Sequence, residues 1–171
     1  MGGVHKCVVY SARLSLRHFT AEDAVWVLRL LNEPTFISNI GDRNVRTVEE
    51  ARVFLQQGPI LAYARDGFGM FAVELASTGC CVGMCGLLKR EFTGEVDVGY
   101  AYFPEYSGMG YATEAAAAVI AWGRSACGLD RIVGFVSPHN TPSIKVLQKL
   151  GMRYEKHAPI ADGAEPILLY S

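Results

Sequence analysis

The chain has 171 residues, a length typical of one domain, and half of its residues are hydrophobic. A sizeable core can therefore form without disulfides or structural metals. The 16 basic and 17 acidic residues leave a formal net charge of −1, which argues against a broad basic surface for DNA or RNA. The longest apolar run, residues 115–122, is far shorter than the ~20 residues that span a bilayer.

Cysteine usage and the N-terminal residues bear on the compartment. Five cysteines, an odd number in a chain of this length, favour a reducing environment. Cys80, Cys81 and Cys85 lack the paired spacing of metal ligands, so we expect no metal. No apolar segment typical of a secretory signal occurs at the N-terminus. We expect a cytoplasmic protein without a membrane partner, with residues 1–11 as a loose leader and residues 12–171 as one domain.

In chain order, the first elements are a strand and two helices. Residues 14–17 alternate with the period of a strand, and a helical pattern begins at Thr20 and ends at Pro34. A second helix follows Thr47, with acidic residues in its first turn. The expected buried face of the first helix carries Val25, Leu28 and Leu31.

The middle of the chain is rich in strand patterns. Residues 70–75, 81–88 and 95–103 form three runs, separated by turns that end at Gly79 and Gly94. This spacing predicts a meander of antiparallel strands.

The last third alternates helices and strands. We predict a helix over residues 111–126, a strand over 130–136, a helix over 140–150 and a strand over 167–170. The whole order is β-α-α-β-β-β-α-β-α-β. It indicates an α/β or α+β domain with a mixed sheet.

The glycine-rich turn before the alanine-rich helix carries a chemical signal. Gly108 and Gly110 allow left-handed backbone angles and close approach of a ligand, and a helix start offers unpaired N–H groups. Together these favour a phosphate or diphosphate site, to which the Thr113 hydroxyl can add. A Walker A loop is absent, and Thr113 stands where the Rossmann motif needs Gly or Ala. The alternative is a helix start that binds nothing.

Five segments, which occur in the same order as in the family, resemble the GNAT acetyltransferases. Within that family they resemble the RimJ/RimL type, which acetylates ribosomal-protein N-termini. The resemblance covers about residues 12–170. Its segments are Val96-Asp97-Val98-Gly99-Tyr100, Pro104-Glu105-Tyr106, Gly108-Met109-Gly110-Tyr111-Ala112-Thr113-Glu114-Ala115, Asn140-Thr141-Pro142-Ser143 and Leu147-Gln148-Lys149-Leu150-Gly151-Met152.

The resemblance implies a mostly antiparallel sheet flanked by helices, with acetyl-CoA bound at a strand–turn–helix. It implies that Tyr102 and Phe103 pair with the pantetheine arm through the main chain, and that Asn140 and Ser143 lie near the thioester. Ser107 departs from the Gln or Arg that usually opens the diphosphate motif. That motif maps onto Ser107, Gly108, Met109, Gly110, Tyr111 and Ala112.

For catalysis, the resemblance points to Asp97 as the base, with Glu95 as the rival on the same side of the strand. Ser143 is the candidate donor to the thiolate, because Leu147 stands where many family members carry a tyrosine. Simpler readings stay open: Asp97 as a surface acid, and Asn140 and Ser143 as helix-capping residues. Tyr100 and its aromatic neighbours are interpreted as sheet packing.

The expected function is direct transfer of an acetyl group from acetyl-CoA to a primary amine, either a protein N-terminal α-amine or a small amine. Residues 40–46 lie in a region that lines the acceptor site in related enzymes. We expect a monomer or a homodimer. The alternatives are a catalytically inactive CoA-binding sensor and a protein-interaction domain without a ligand.

Overall fold

The structure is a computed structural model that describes residues 7–158 and 165–171. Its strands are β1 Cys7–Tyr10, β2 Leu14–Arg17, β3 Met70–Leu75, β4 Cys81–Lys89, β5 Val96–Tyr102, β6 Gly134–Val136, β7 Tyr154–Ala158 and β8 Ile167–Tyr170. Its helices are α1 Ala24–Leu31, α2 Pro34–Ile40, α3 Val48–Leu55, α4 Leu61–Asp66, α5 Tyr111–Cys127 and α6 Thr141–Lys149. No helix within these two ranges is long and apolar enough to cross a membrane.

Strands β1 to β5 form one antiparallel sheet in chain order. The three strands predicted between residues 70 and 103 all lie in this sheet, and their bounds agree with the prediction to within one residue. Gly79 and Gly94, with φ of 72° and 73°, occupy the left-handed region at the two hairpin turns. A side chain would be strained there, so glycine suits both turns. The predicted antiparallel meander is confirmed.

The prediction for the N-terminal residues was wrong where the structure describes them. Residues 7–10 are not a loose leader, because β1 pairs with β2 and Tyr10 lies opposite Ser15. The run has strand propensity, and the buried side chain of Val9 attaches it to the core. Residues 1–6 lie outside the described part of the chain.

A second sheet contains three antiparallel strands in the order β6-β8-β7. It joins the first sheet through a parallel contact, in which Val133 lies opposite Asp97 of β5. The Val133 N–H donates to the Val96 carbonyl, and the Val98 N–H donates to the Val133 carbonyl, both at 2.9 Å. The sheet arrangement is therefore mixed and mostly antiparallel, as predicted.

Helices cover both faces of the five-stranded sheet. On one face α5 buries Ala115 and Val119 against the strands. On the other face α1 and α3 bury Val27 and Leu55. Helix α3 begins after Thr47, as predicted.

The first predicted helix differs from the structure in its start, its buried face and its end. A single 3-10 turn, Ala21–Asp23, precedes α1. Leu31 is buried as predicted, but Val25 is 67% exposed while Val27 and Leu30 are buried, because a strict three-residue spacing drifts away from a face that repeats every 3.6 residues. Pro34 begins α2 at a position where its missing N–H removes no helical bond.

A buried ion pair connects the residues before α1 to the sheet. Arg17 donates through Nη1 and Nη2 to the two carboxylate oxygens of Asp23, at 2.9 and 2.8 Å, and through Nε to Glu74 at 2.6 Å. Asp23 also accepts from the Thr20 N–H and from Trp26 Nε1, each at 2.8 Å. Burial pushes the pKa of Asp23 upward, but these hydrogen bonds outweigh burial and hold the pKa below its usual value.

We expect Asp23→Asn to lower the free energy of unfolding at neutral pH by about 3 kcal/mol, because the buried Arg17 guanidinium loses one of its two carboxylate partners and keeps only Glu74. The lowered pKa means that this stabilisation is present above about pH 4 and is lost as the pH falls through the native pKa. Urea unfolding of the variant and of the unaltered protein, repeated from neutral to acidic pH, measures both effects.

Asp42→Asn is the matched control, because Asp42 forms an ion pair with Arg46 on the exposed surface. Its urea midpoint should hardly change, since exposed pairs contribute little. Equal losses in the two variants would contradict a special role for the buried pair.

Candidate active site

The exposed turn before α5 is suited to hold an anion. Residues 107–110 are exposed, and the 17-residue helix Tyr111–Cys127 follows them. The Glu114 N–H donates to the Gly110 carbonyl at 3.0 Å, so the N–H groups of residues 111–113 lie ahead of the helical bonding pattern. No side chain in the described ranges caps them. These free donors and the positive end of the helix dipole attract a phosphate group.

Two glycines shape the turn. Gly108 and Gly110 have φ of 75° and 80°, values that strain any residue with a β-carbon. At Gly108 no atom lies within 4 Å of the position that a Cβ would take, so the space beside the turn is open. At Gly110 the nearest atom to that position is Arg13 Nη2, at 3.4 Å. The structure joins the predicted motif into one turn and helix start, made of Ser107, Gly108, Met109, Gly110, Tyr111, Ala112 and Thr113.

Arg13, which no sequence pattern singled out, lies beside this turn. Its backbone N–H and its Nε donate to the Glu114 carboxylate at 2.8 and 2.7 Å. Its guanidinium carbon lies 4.6 Å from the centre of the Tyr111 ring, and the side chain remains 49% exposed. The ion pair neutralises an acid in the first turn of α5 and places a guanidinium next to Gly110. The contact joins residues 101 positions apart, beyond the reach of any local pattern.

Strands β5 and β6 diverge beyond their contact at Val133. In the described residues, the backbone bonds between them end at the Val98 N–H and the Val133 carbonyl. Backbone groups alternate between the two edges of a strand, so those of Tyr100 and Tyr102 face the same edge as those of Val98. They form an unpaired stretch of strand edge between Val133 and the turn before α5, which we call the cleft. Such an edge can pair with an extended ligand as it would with another strand.

The two residues predicted to contact a ligand arm differ. The main chain of Tyr102 faces the cleft, as required. The Phe103 N–H donates to the Val82 carbonyl at 3.1 Å, and the Phe103 carbonyl accepts from the Tyr106 N–H at 3.0 Å. The Phe103 ring is buried below the Arg29 guanidinium, 4.2 Å away. The prediction for Phe103 was therefore wrong, because its backbone groups are already bonded within the protein.

The start of α6 brings Asn140 and Ser143 to the cleft. Asn140 Oδ1 accepts from the Ser143 N–H at 3.2 Å, so Asn140 does cap the helix. Ser143 Oγ lies 2.8 Å from the Tyr100 hydroxyl, which also donates to the Ser143 carbonyl at 3.2 Å. Tyr100 is thus more than a packing residue, because it links β5 to α6. Burial raises the pKa of Tyr100 to about 12, so the phenol is neutral at pH 7.

Asp97, the predicted base, lies at the junction of β5 and β6 and is only 1% exposed. Its Oδ2 accepts from Arg90 Nε and Nη2 at 2.8 and 2.5 Å, and its Oδ1 accepts from the Phe135 N–H at 3.1 Å. Burial raises the pKa of Asp97 to about 6, against the opposing attraction of Arg90. Burial contradicts the reading of Asp97 as a surface acid, whereas its role as the base stays a prediction.

Glu95 and Leu147 lie outside the cleft. The Glu95 carboxylate accepts from Arg131 Nε at 3.1 and 3.2 Å, on the side of the junction away from the open strand edge. Leu147 is 1% exposed and packs against Gly134 in the core. Glu95 is therefore a poor candidate for the base, and position 147 is part of the core.

The loop over residues 40–46 is held by its own side chains. Arg46 Nη2 donates to Asp42 Oδ2 at 2.5 Å, and the Asn44 N–H donates to Asp42 Oδ1 at 2.8 Å. No group of three or more metal-binding side chains occurs within residues 7–158 and 165–171.

Comparison with known proteins identifies the family. Residues 13–153 match the acetyltransferase (GNAT) domain. The uncharacterized N-acetyltransferase p20 of Bacillus licheniformis is 30% identical over 149 residues, which cover 86% of this chain and 83% of that protein. The crystal structure of a GNAT-family acetyltransferase from Bacillus anthracis is 30% identical, with a TM-score of 0.76, over 95% of this chain and 94% of that one.

The α-N-protein acetyltransferase RimL, solved in complex with coenzyme A, has a TM-score of 0.82 over 96% of each chain. At 18% identity, this likeness shows a shared fold alone. The family match over residues 13–153 includes Arg13, the glycine turn, the cleft and the start of α6. The chain therefore belongs to the GNAT acetyltransferases, a family of acyltransferase enzymes.

Proposed function

We propose that this protein transfers an acetyl group from acetyl-CoA directly to a primary amine. The proposal depends on one observation: two sets of unpaired backbone groups lie along the same cleft. Free N–H groups at the start of α5 lie at one end of the cleft, and the open edge of β5 at Tyr100 and Tyr102 forms its side. A ligand with a diphosphate at one end and an amide-bearing arm matches both sets.

The residues present fit this ligand. The N–H groups of residues 111–113 would hold the diphosphate, and Arg13 would supply the positive charge that Ser107 does not. The main chain of Tyr102 would pair with the arm. The four residues from Tyr102 back to Val98 span about 13 Å of strand. The arm would then end beside Ser143.

The acceptor amine must be neutral to attack. An α-amine with a pKa of roughly 7.7–8.0 is neutral in about a tenth of molecules at pH 7, whereas a lysine at about 10.4 is neutral in far fewer than one in a thousand. A terminal or weakly basic amine therefore needs little help from a base. Cys85 lies opposite Tyr100 in the sheet, but burial raises the pKa of its thiol, so it is a poor nucleophile. Direct transfer fits this site.

Ser143 is the proposed donor to the sulfur as negative charge develops on it. Asn140 holds the first turn of α6 and acts as a positioning residue. We propose that Asp97 is also a positioning residue, because Arg90 and the Phe135 N–H occupy its carboxylate. In this mechanism the fraction of the acceptor amine that is already neutral attacks the acetyl group, and no side chain acts as the base.

The proposed acceptor is a protein N-terminal α-amine or a small amine. The RimJ/RimL resemblance and the likeness in fold to RimL support the first class. An inactive CoA-binding sensor is the second candidate, and the buried Leu147 favours it because a tyrosine often occupies that position in the family.

Calorimetric titration with acetyl-CoA and an acetylation assay against peptides and small amines test the function. We expect measurable binding and turnover of at least one amine. Gly110→Asp should abolish binding, because it adds a side chain and a negative charge at a residue with φ of 80°. Gly128→Asp is the matched control, since Gly128 has φ of 65° and open space at the other end of α5.

The control should bind acetyl-CoA like the unaltered protein. Binding without turnover of any amine would favour the sensor, and an unaltered protein that does not bind acetyl-CoA would contradict both candidates.

Arg13→Ala should raise the Kd for acetyl-CoA about tenfold, because it removes a charged donor beside the diphosphate. Activity with acetyl-pantetheine, which lacks the phosphates, should keep the kcat/KM of the unaltered protein. Arg52→Ala, which breaks an exposed pair with Glu49 on α3, is the control. An equal loss of activity with acetyl-CoA and with acetyl-pantetheine would show that Arg13 acts on the fold and not on the phosphates.

Asp97→Asn should lower the Tm and leave the shape of the pH profile of kcat/KM unchanged, because the carboxylate does not touch the amine. In both proteins the rate should rise with pH toward the pKa of the acceptor. A base that titrates at about 6 would instead produce a limb near that pH, and the variant would lack it. Loss of such a limb would restore Asp97 as the base.

A further inference from the structure

The phenol of Tyr100 is bonded only to Ser143 among the described residues. Its oxygen lies 2.8 Å from Ser143 Oγ and donates to the Ser143 carbonyl at 3.2 Å. Tyr100 stands two residues beyond Val98, where β5 loses its backbone bonds to Val133. The pair of hydroxyls therefore links α6 to the part of β5 whose backbone edge is unpaired.

The numbers of protons and lone pairs on the two hydroxyls limit the hydrogen bonds that they can form. Each hydroxyl has one proton to donate and can accept two hydrogen bonds. The phenol has one proton, so it donates either to the Ser143 carbonyl at 3.2 Å or, over the shorter 2.8 Å, to Ser143 Oγ. In the second arrangement, the Ser143 proton is left for a third partner. The Ser143 N–H is already bonded to Asn140, so the backbone of this turn is held as well. This arrangement holds Ser143 Oγ in place as an acceptor and directs its own proton away from Tyr100.

Tyr100 itself is a poor proton donor. Burial raises the pKa of Tyr100 to about 12, whereas ordinary thiols titrate near 8.5. Transfer of the phenol proton to a thiolate is therefore unfavourable. Any effect of Tyr100 on the leaving sulfur must pass through the Ser143 hydroxyl.

We propose that Tyr100 is a positioning residue for acetyl transfer, whose phenol directs the Ser143 hydroxyl toward the departing sulfur. This inference rests on the proposed function. In the reaction the amine nitrogen bonds to the acetyl carbon and loses one proton to water. The carbon–sulfur bond breaks, its electron pair stays on sulfur, and Ser143 donates a hydrogen bond to that sulfur until water protonates it.

A double-mutant cycle tests the inference. Tyr100→Phe removes the hydroxyl and keeps the ring, so we expect kcat to fall about tenfold while the calorimetric Kd for acetyl-CoA changes less than about twofold. Ser143→Ala should reduce kcat further, by about a hundredfold. The double variant should be no slower than Ser143→Ala, because Tyr100 acts only through Ser143.

Tyr63→Phe is the control for loss of a buried, hydrogen-bonded phenol. The Tyr63 hydroxyl accepts from the Phe19 N–H at 3.0 Å and donates to the Met70 carbonyl, at the opposite edge of β4 from the cleft. This variant should lose stability and keep kcat. An unchanged kcat in Tyr100→Phe, or additive losses in the double variant, would overturn the inference. An unaltered protein that acetylates no amine would instead overturn the proposed function.

Discussion

The outer edge of β5 has a neighbour along only part of its length, and the rest of the site depends on this. Val133 satisfies the edge at Val96 and Val98. If the parallel pairing continued, the Phe135 N–H would bond to the backbone of β5. It donates to the Asp97 side chain, at Oδ1, instead. Strand β6 pairs with β8 instead. The backbone of β5 beyond this point is left to whatever enters the cleft, since an unpaired strand edge readily accepts a further partner.

The two ends of the cleft differ in their electrostatic character. At the outer end, the α5 dipole and Arg13 favour an anion, and the pairing of Arg13 with Glu114 removes a carboxylate that would repel one. Farther along the cleft, the Tyr100 phenol is neutral at pH 7 because burial raises its pKa to about 12. A ligand that is anionic at one end and reactive at the other is therefore oriented by electrostatics before the chemistry begins.

Local sequence patterns determined the elements that build the site. The period-two runs of β3 to β5 and the alanine-rich α5 were predicted nearly residue by residue, because strand and helix periods need only a few neighbouring positions. The glycine turn and the Asn140 cap belong to the same class, since turn and cap chemistry acts over about three residues. Strand β7, Tyr154–Ala158, was missed because most of its side chains are exposed and show no apolar alternation.

The contacts of the side chains were decided only by the tertiary structure. Arg13 reaches the turn from 101 residues away, and Tyr100 meets Ser143 across 43 residues. Asp97 has the residue type of a base, but the approach of Arg90 and β6 turns it into a buried junction. The physical reason is the same in each case. Periodicity determines which residues share a face of an element, whereas hydrogen-bond partners, burial and pKa depend on how distant elements pack together.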